Sequence, residues 1–128
     1  MPDSVTPRRA RWPRAVRLTR GDDIRATIQY GQRAHGGWFR LFFRPDHAVP
    51  MRFAISIRKN VGNACTRNRE RRRVKESLRL SRRHWPPNGY GVLVVDRPDP
   101  EGLSGLKRNE IVAGLLEKIQ ETTNRPGK

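Results

Sequence analysis

Three segments of the chain have the hydrophobic pattern of β-strands. Residues 38–43 (WFRLFF) are rich in aromatic side chains, which favour extended backbone. In residues 51–57 (MRFAISI) large apolar side chains alternate with smaller or polar ones, as expected for a strand with one buried face. Residues 90–96 (YGVLVVD) form a compact apolar run, which predicts the most deeply buried strand.

A short helix is predicted before the first strand. Ile24 and Ile28 lie four residues apart, and this stripe indicates a helix face packed against a core. Thr19 and Asp22 resemble a capping pair at the start of the helix, and Gly31 is suited to end it.

Two further helices are predicted after the second strand. Asn63 or Thr66 can cap a long helix that should run to about Arg83, where Trp-Pro-Pro follows. The last helix should run from Ser104 to about Thr122, with a set of apolar residues facing the core: Leu106, Ile111, Leu115, Leu116 and Ile119. The order of helix, strands, helix, strand and helix indicates an α+β protein with helices packed on a small sheet.

The length of 128 residues fits one compact domain. Residues 1–16 carry three prolines, several arginines and few large apolar groups, so we expect a flexible basic arm. The domain should occupy residues 17–122, and residues 123–128 should form a C-terminal tail. Because the chain lacks a secretory signal and a membrane-spanning window, we expect a soluble cytoplasmic protein with no membrane partner.

The charge of the chain is large and unevenly distributed. Against 12 acidic residues there are 28 Lys and Arg, a formal net charge of +16. Residues 58–85 hold eleven basic and two acidic groups, whereas residues 96–128 hold six of each. The excess of basic residues excludes an acidic protein that binds basic partners. It indicates that the chain binds a polyanion, and we expect this partner to be nucleic acid.

The predicted long helix concentrates this charge on one flank. At about 100° per residue, Val74, Ser77, Leu78 and Ser81 share a narrow arc with Glu70 at its edge. The opposite flank carries a dense set of cations and amides: Asn68, Arg69, Arg71, Arg72, Lys75, Arg79, Arg82 and Arg83. Because like charges at this density repel one another, phosphates should bind this flank and relieve the repulsion.

The residues that usually carry catalysis do not cluster in the sequence. Three histidines are scattered without the spacing of metal ligands, and the single cysteine, Cys65, has no evident partner. We therefore expect no catalytic side chain and no metal site in this chain.

The sequence of residues 61–75, VGNACTRNRERRRVK, resembles the signature of the bacterial ribonuclease P protein component. Residues 53–59 resemble the strand that leads into that signature, and the resemblance covers about residues 14–120. It implies the order α-β-β-β-α-β-α, with a small four-stranded mixed sheet and a left-handed β-α-β crossover, a ribosomal protein S5 domain 2-like fold. The residues alone would favour a right-handed crossover.

The resemblance also implies a function. The chain would be the protein subunit of ribonuclease P, binding its catalytic RNA and the 5′ leader of precursor tRNA. The RNA would remove the leader with Mg²⁺ held mainly by the RNA, and no obligate protein partner is implied. The implied contacts with catalytic RNA are Arg58, Lys59, Asn63, Arg67, Asn68, Arg69, Arg71, Arg72 and Lys75.

The resemblance further implies a cleft for the single-stranded leader between the first helix and the sheet. Its lining would include Ile24, Ile28, Phe39 and Phe42. Ile24 and Ile28 stand where the family commonly has aromatic residues, so apolar contact or core packing is expected there instead of base stacking. Glu70 replaces a usually aliphatic residue and is expected to pair with Arg67, Arg73 or a neighbour.

Two other functions fit the composition. A structural RNA-binding protein, such as a ribosomal component, would have a similar charge. A DNA-binding factor could place the basic helix in a major groove, but such a helix needs a partner helix across a short turn, and here a strand is predicted before it.

Overall fold

The computed structural model describes residues 17–98 and 105–124, which form three helices around one sheet. The helices are α1 (Gly21–Tyr30), α2 (Ala64–Leu80) and α3 (Gly105–Asn124), and the strands are β1 (Gln32–Gly36), β2 (Phe39–Arg44), β3 (Arg52–Ile57) and β4 (Tyr90–Val95). Short 3₁₀ turns at Lys59–Val61 and Arg82–His84 flank α2. The predicted α-β-β-β-α-β-α order is confirmed. The predicted arm at residues 1–16 lies outside the described residues, and α3 extends to Asn124.

The four strands form one mixed sheet in the order β1-β2-β4-β3. β1 pairs with β2 and β2 with β4 in antiparallel register, whereas β3 and β4 are parallel. Parallel neighbours need a crossover, and α2 provides it between β3 and β4. The element that precedes α2 is therefore a strand, as predicted.

The two faces of the sheet carry separate cores. Phe39, Leu41 and Phe43 alternate onto the face covered by α2 and α3, where they join the larger apolar cluster. Phe42 projects to the opposite face and packs with Leu18, Val92 and Val94 beneath α1. Because successive side chains of a strand point to opposite faces, β2 contributes to both cores.

The ends of α1 differ from the prediction. The residue that precedes the helix is Arg20, not Thr19, and no side chain caps the first turn. Gly31 does end the helix, but in extended backbone with φ −78°. A Cβ there would lie 2.5 Å from the carbonyl oxygen of Thr27 and 2.7 Å from that of Phe43, so close backbone approach requires the glycine.

The predicted end of α2 was also too late. The α-helix stops at Leu80, and residues 82–84 form a separate 3₁₀ turn. The indole Nε1 of Trp85 donates to the carbonyl oxygen of Leu78 at 3.1 Å, which closes the end of the helix.

Candidate nucleic-acid interface

The entry into α2 is built by a glycine turn and an asparagine cap. Gly62 has φ 155°, and a Cβ at this position would lie 2.7 Å from Cγ2 of Thr66. The next residue, Asn63, accepts a hydrogen bond from the backbone N–H of Thr66 at 2.9 Å, which confirms it as the N-cap. Arg67 then donates from Nη1 to the carbonyl oxygen of Gly62 at 2.8 Å, so one of its nitrogens holds the turn in place.

The structure brings together the nine residues predicted to contact catalytic RNA, at the entry and along the outer flank of α2. Five of them and the capping asparagine are exposed, and the rest are half-buried. The exposed ones are Arg58, Lys59, Asn63, Asn68, Arg69 and Arg72; the half-buried ones are Arg67, Arg71 and Lys75. The opposite flank buries the predicted stripe of Glu70, Val74, Ser77 and Leu78.

The two acidic residues of α2 neutralise cations outside this set. Glu76 pairs with Arg79 at 2.5 Å, and Glu70 pairs with Arg73 at 3.4 Å and with Arg108 of α3 at 3.7 Å. Among the side chains that the structure describes in residues 17–98 and 107–120, no carboxylate lies within 4.0 Å of a side-chain nitrogen of Arg69, Arg71 or Arg72. The outer flank therefore keeps its positive charge.

An open groove of about 300 Å³ lies beside this flank, at the edge of β3. Arg17, Arg71 and Lys75 line it together with apolar residues that include Leu18 and Ile24. Burial, followed by repulsion from Arg17 and Arg71, lowers the pKa of Lys75. Because three cations line the same groove, a bound anion would reduce the repulsion between them.

The four residues predicted to line a leader cleft do not share one surface. Ile24 is half-buried beside Phe42, and Ile28 is 40% exposed on α1. Phe42 itself is only 3% exposed, so its ring packs in the core beneath α1. Phe39 was wrongly placed with them: it is fully buried on the opposite face, because it lies three residues from Phe42 in a strand.

Two arginines that lie over aromatic rings occupy the α1 face of the sheet, and the sequence pattern did not predict them. The guanidinium of Arg40 lies 5.4 Å above the ring of Phe42, and that of Arg44 lies 4.2 Å above the ring of Tyr90. Arg40 also donates from Nε and Nη2 to the two carboxylate oxygens of Asp96, both at 2.7 Å, and this pairing raises its pKa. Strand alternation could have placed Arg40 on this face, but Asp96 is 56 residues away in the chain.

The remaining reactive side chains form no cluster in the described part of the chain. No group of three or more His, Cys, Asp or Glu side chains is placed there to hold a metal ion. Cys65 is exposed in the first turn of α2. None of the described helices is long and apolar enough to cross a membrane.

Fold and surface together define a small α+β protein that presents a cationic helix flank suited to a polyanion. The family model described as Ribonuclease P matches residues 12–120. The ribonuclease P protein component of Gluconacetobacter diazotrophicus is 39% identical over 82 residues, which cover 64% of this chain and 65% of that protein. The corresponding protein of Syntrophobacter fumaroxidans is 31% identical over 103 residues, covering 80% of this chain and 87% of the relative.

The solved structures of known proteins support the same fold. The ribonuclease P protein from Thermotoga maritima superposes with a TM-score of 0.70 at 23% identity, covering 80% of this chain and 96% of that chain. This chain belongs to the bacterial ribonuclease P protein family. It is accordingly a component of the ribonuclease P ribonucleoprotein, with a role in tRNA processing.

Proposed function

We propose that the chain binds the catalytic RNA of ribonuclease P through the outer flank of α2 and the turn that precedes it. The observation that carries the proposal is the retained positive charge of Arg69, Arg71 and Arg72, since the acids of α2 pair with other cations. All three side chains belong to α2 and lie outside its buried stripe. Binding RNA phosphates there would release counterions and relieve the repulsion between the cations.

We further propose that the protein positions the substrate while the RNA performs the reaction. Precursor tRNA would be cut at the 5′ end of the mature sequence, with Mg²⁺ held mainly by the RNA. The protein would lower the phosphate repulsion that opposes close approach of substrate and catalytic RNA. We place this complex in the cytoplasm, with no obligate protein partner and no catalytic side chain from this chain.

The single-stranded leader is proposed to bind on the α1 face of the sheet. Ile28 is exposed on α1, and Ile24 lines the groove and packs against the cluster that contains Phe42. Phe39 is not included, because it is buried beneath α2 and α3. The groove at the β3 edge is lined by both Ile24 and Arg71, so it connects the leader surface with the cationic flank.

Reconstitution tests the assignment to ribonuclease P directly. The purified chain is mixed with a bacterial catalytic RNA at low Mg²⁺, and cleavage of precursor tRNA is followed. The expected result is cleavage at the mature 5′ end that depends on the protein. No stimulation, together with copurification of ribosomal RNA fragments alone, would favour a ribosomal RNA-binding protein instead.

Two alanine variants test the cationic flank. Arg69→Ala and Arg72→Ala should each weaken binding to catalytic RNA by about 1.5–3 kcal/mol, the range for hydrogen bonds to charged groups. Arg25→Ala is the matched control, because Arg25 is exposed on α1 and already pairs with Asp22. Filter binding at fixed salt measures the affinities, and equal affinity of all three variants would contradict the assignment.

The leader surface is tested by comparing two substrates. Ile28→Ala should weaken binding of precursor tRNA by the reconstituted enzyme and leave the affinity for mature tRNA nearly unchanged. The reason is that Ile28 is an exposed apolar side chain whose removal leaves the buried clusters intact. An equal loss for both RNAs would refute a leader-specific contact.

A further inference from the structure

Arg40 is held in one orientation on the α1 face of the sheet. Its two hydrogen bonds to Asp96 join β2 to the residue that follows β4, and both measure 2.7 Å. The ring of Phe42 lies 5.4 Å beneath the guanidinium, yet one third of the Arg40 side chain stays exposed. Asp96 thus holds the edge of the planar guanidinium, and the Phe42 ring lies on one side of it. The face that points away from the ring is the accessible one.

Arg44, four residues further along β2, has a similar arrangement. Its guanidinium lies 4.2 Å above the ring of Tyr90, and Nη2 lies 3.6 Å from a carboxylate oxygen of Asp23 on α1. Its side chain is 27% exposed. At about 3.3 Å per residue, the four-residue separation places the Cα atoms of the two arginines about 13 Å apart along the strand.

The neighbouring carboxylates distinguish these arginines from those of α2. Each guanidinium on the sheet lies beside a carboxylate that offsets its charge, so its net attraction for phosphate is reduced. Pairing leaves the flat face of the guanidinium unchanged, and nucleobases stack on such faces as they do on aromatic rings. The buried Phe42 ring, by contrast, is covered and has no face to offer a base.

We propose that Arg40 and Arg44 present their outer guanidinium faces as two stacking surfaces for nucleobases of single-stranded RNA. This inference rests on the proposed function, since the RNA in question is the precursor tRNA leader. The two surfaces would then contact different parts of the RNA: the cations of α2 bind phosphates, and the paired arginines of the sheet contact bases. The alternative is that the Arg40–Asp96 pair only ties β2 to β4.

A comparison of normal and abasic leaders separates these possibilities. The reconstituted enzyme is titrated with precursor tRNA whose leader is intact or abasic throughout, and the ratio of the two affinities is measured. In the wild type the ratio should be about fivefold or more, as expected when a base stacks on a flat side chain. Arg40→Lys keeps the charge but loses the plane, so the ratio should fall, and the intact Arg44 should account for the base preference that remains.

Two further variants exclude a structural explanation. Arg25→Lys, on the exposed side of α1, should keep the wild-type ratio. Asp96→Asn frees the charge of Arg40 while retaining its plane, so the ratio should persist and affinity should depend more steeply on salt. If the Arg40–Asp96 pair only stabilises the fold, Arg40→Lys should lower the melting temperature and leave the ratio of affinities for intact and abasic leaders unchanged. That result would overturn the proposal.

The same comparison with single-stranded RNA oligonucleotides and the chain alone keeps the two proposals distinguishable. Failure of the wild-type chain to bind catalytic RNA refutes the proposed function. A base-dependent ratio that Arg40→Lys lowers in the oligonucleotide titration still supports the stacking surfaces. Wild-type binding with no preference for bases over abasic sites refutes them in either titration.

Discussion

The buried ion pair between α2 and α3 gives the sharpest test of how the RNA-binding helix is supported. The Glu70 and Arg108 side chains are 6% and 3% exposed, and their nearest nitrogen and oxygen lie 3.7 Å apart. Oε1 of Glu70 has no hydrogen-bond partner, so the attraction between the two groups is mainly electrostatic. We expect Glu70→Leu to destabilise the fold, because the buried guanidinium of Arg108 then loses the carboxylate that faces it.

The distance between the Glu70 and Arg108 charges determines how much stability Glu70→Leu should lose. Two unit charges 3.7 Å apart at an effective dielectric constant of about 20 attract by about 4.5 kcal/mol. Removal of one partner of a buried pair commonly costs about 3–5 kcal/mol, which agrees with this value. Arg108→Leu should cost less, because Arg73 still contacts Glu70 at 3.4 Å.

The double variant Glu70→Leu/Arg108→Leu should recover the stability of the wild type or exceed it. Two apolar side chains can fill the space between the helices without the cost of desolvating charges. Urea denaturation followed by tryptophan fluorescence gives the free energy of unfolding of all four proteins. Affinity for catalytic RNA, measured in parallel, should be retained by the double variant, because Glu70 lies on the buried side of α2 and Arg108 is buried on α3.

Two results would refute this reasoning. If Glu70→Leu alone is as stable as the wild type, the pair does not compensate for burial of Arg108. If the double variant loses as much stability as the two single variants combined, the residues do not interact and the 3.7 Å contact has no energetic role.

Three other substitutions test separate features of the structure. Burial and the nearby Arg17 and Arg71 lower the pKa of Lys75, so the folded chain binds the Lys75 proton less tightly than the unfolded chain does. The free energy of unfolding should therefore increase as pH rises from this lowered pKa to the pKa of an ordinary lysine. Lys75→Met should therefore raise the melting temperature at neutral pH, remove this pH dependence and weaken RNA binding; a lower melting temperature would contradict the proposed repulsion. Phe39→Ala should cost about 3–5 kcal/mol of stability in urea denaturation, while the relative affinity for precursor and mature tRNA stays constant. Gly91→Ala would place a Cβ 2.5 Å from the ring of Phe53, so a loss of about 1–3 kcal/mol is expected, and unchanged urea denaturation would show that the ring can move aside.

The sequence by itself determined the elements whose pattern is local. The strands at residues 39–44, 52–57 and 90–95 follow from short apolar runs, and the cationic flank of α2 follows from helical spacing alone. Asn63 was identifiable as a cap because the hydrogen bond joins residues three apart. Even the separation of Phe39 from Phe42 was available in the sequence, since it follows from the two-residue period of a strand.

Other features were decided by tertiary structure. β1 is a polar edge strand with no deeply buried side chain, so its sequence lacks a strand pattern, and its pairing with β2 defines it. Thr27 is the buried residue of α1, whereas the apolar Ile28 is exposed, because the position of the helix on the sheet selects the face that is covered. Glu70 with Arg108 and Arg40 with Asp96 join residues that are distant in the chain. Local propensity and periodicity act over a few residues, but charge pairing between distant residues depends on which strands and helices the fold brings together.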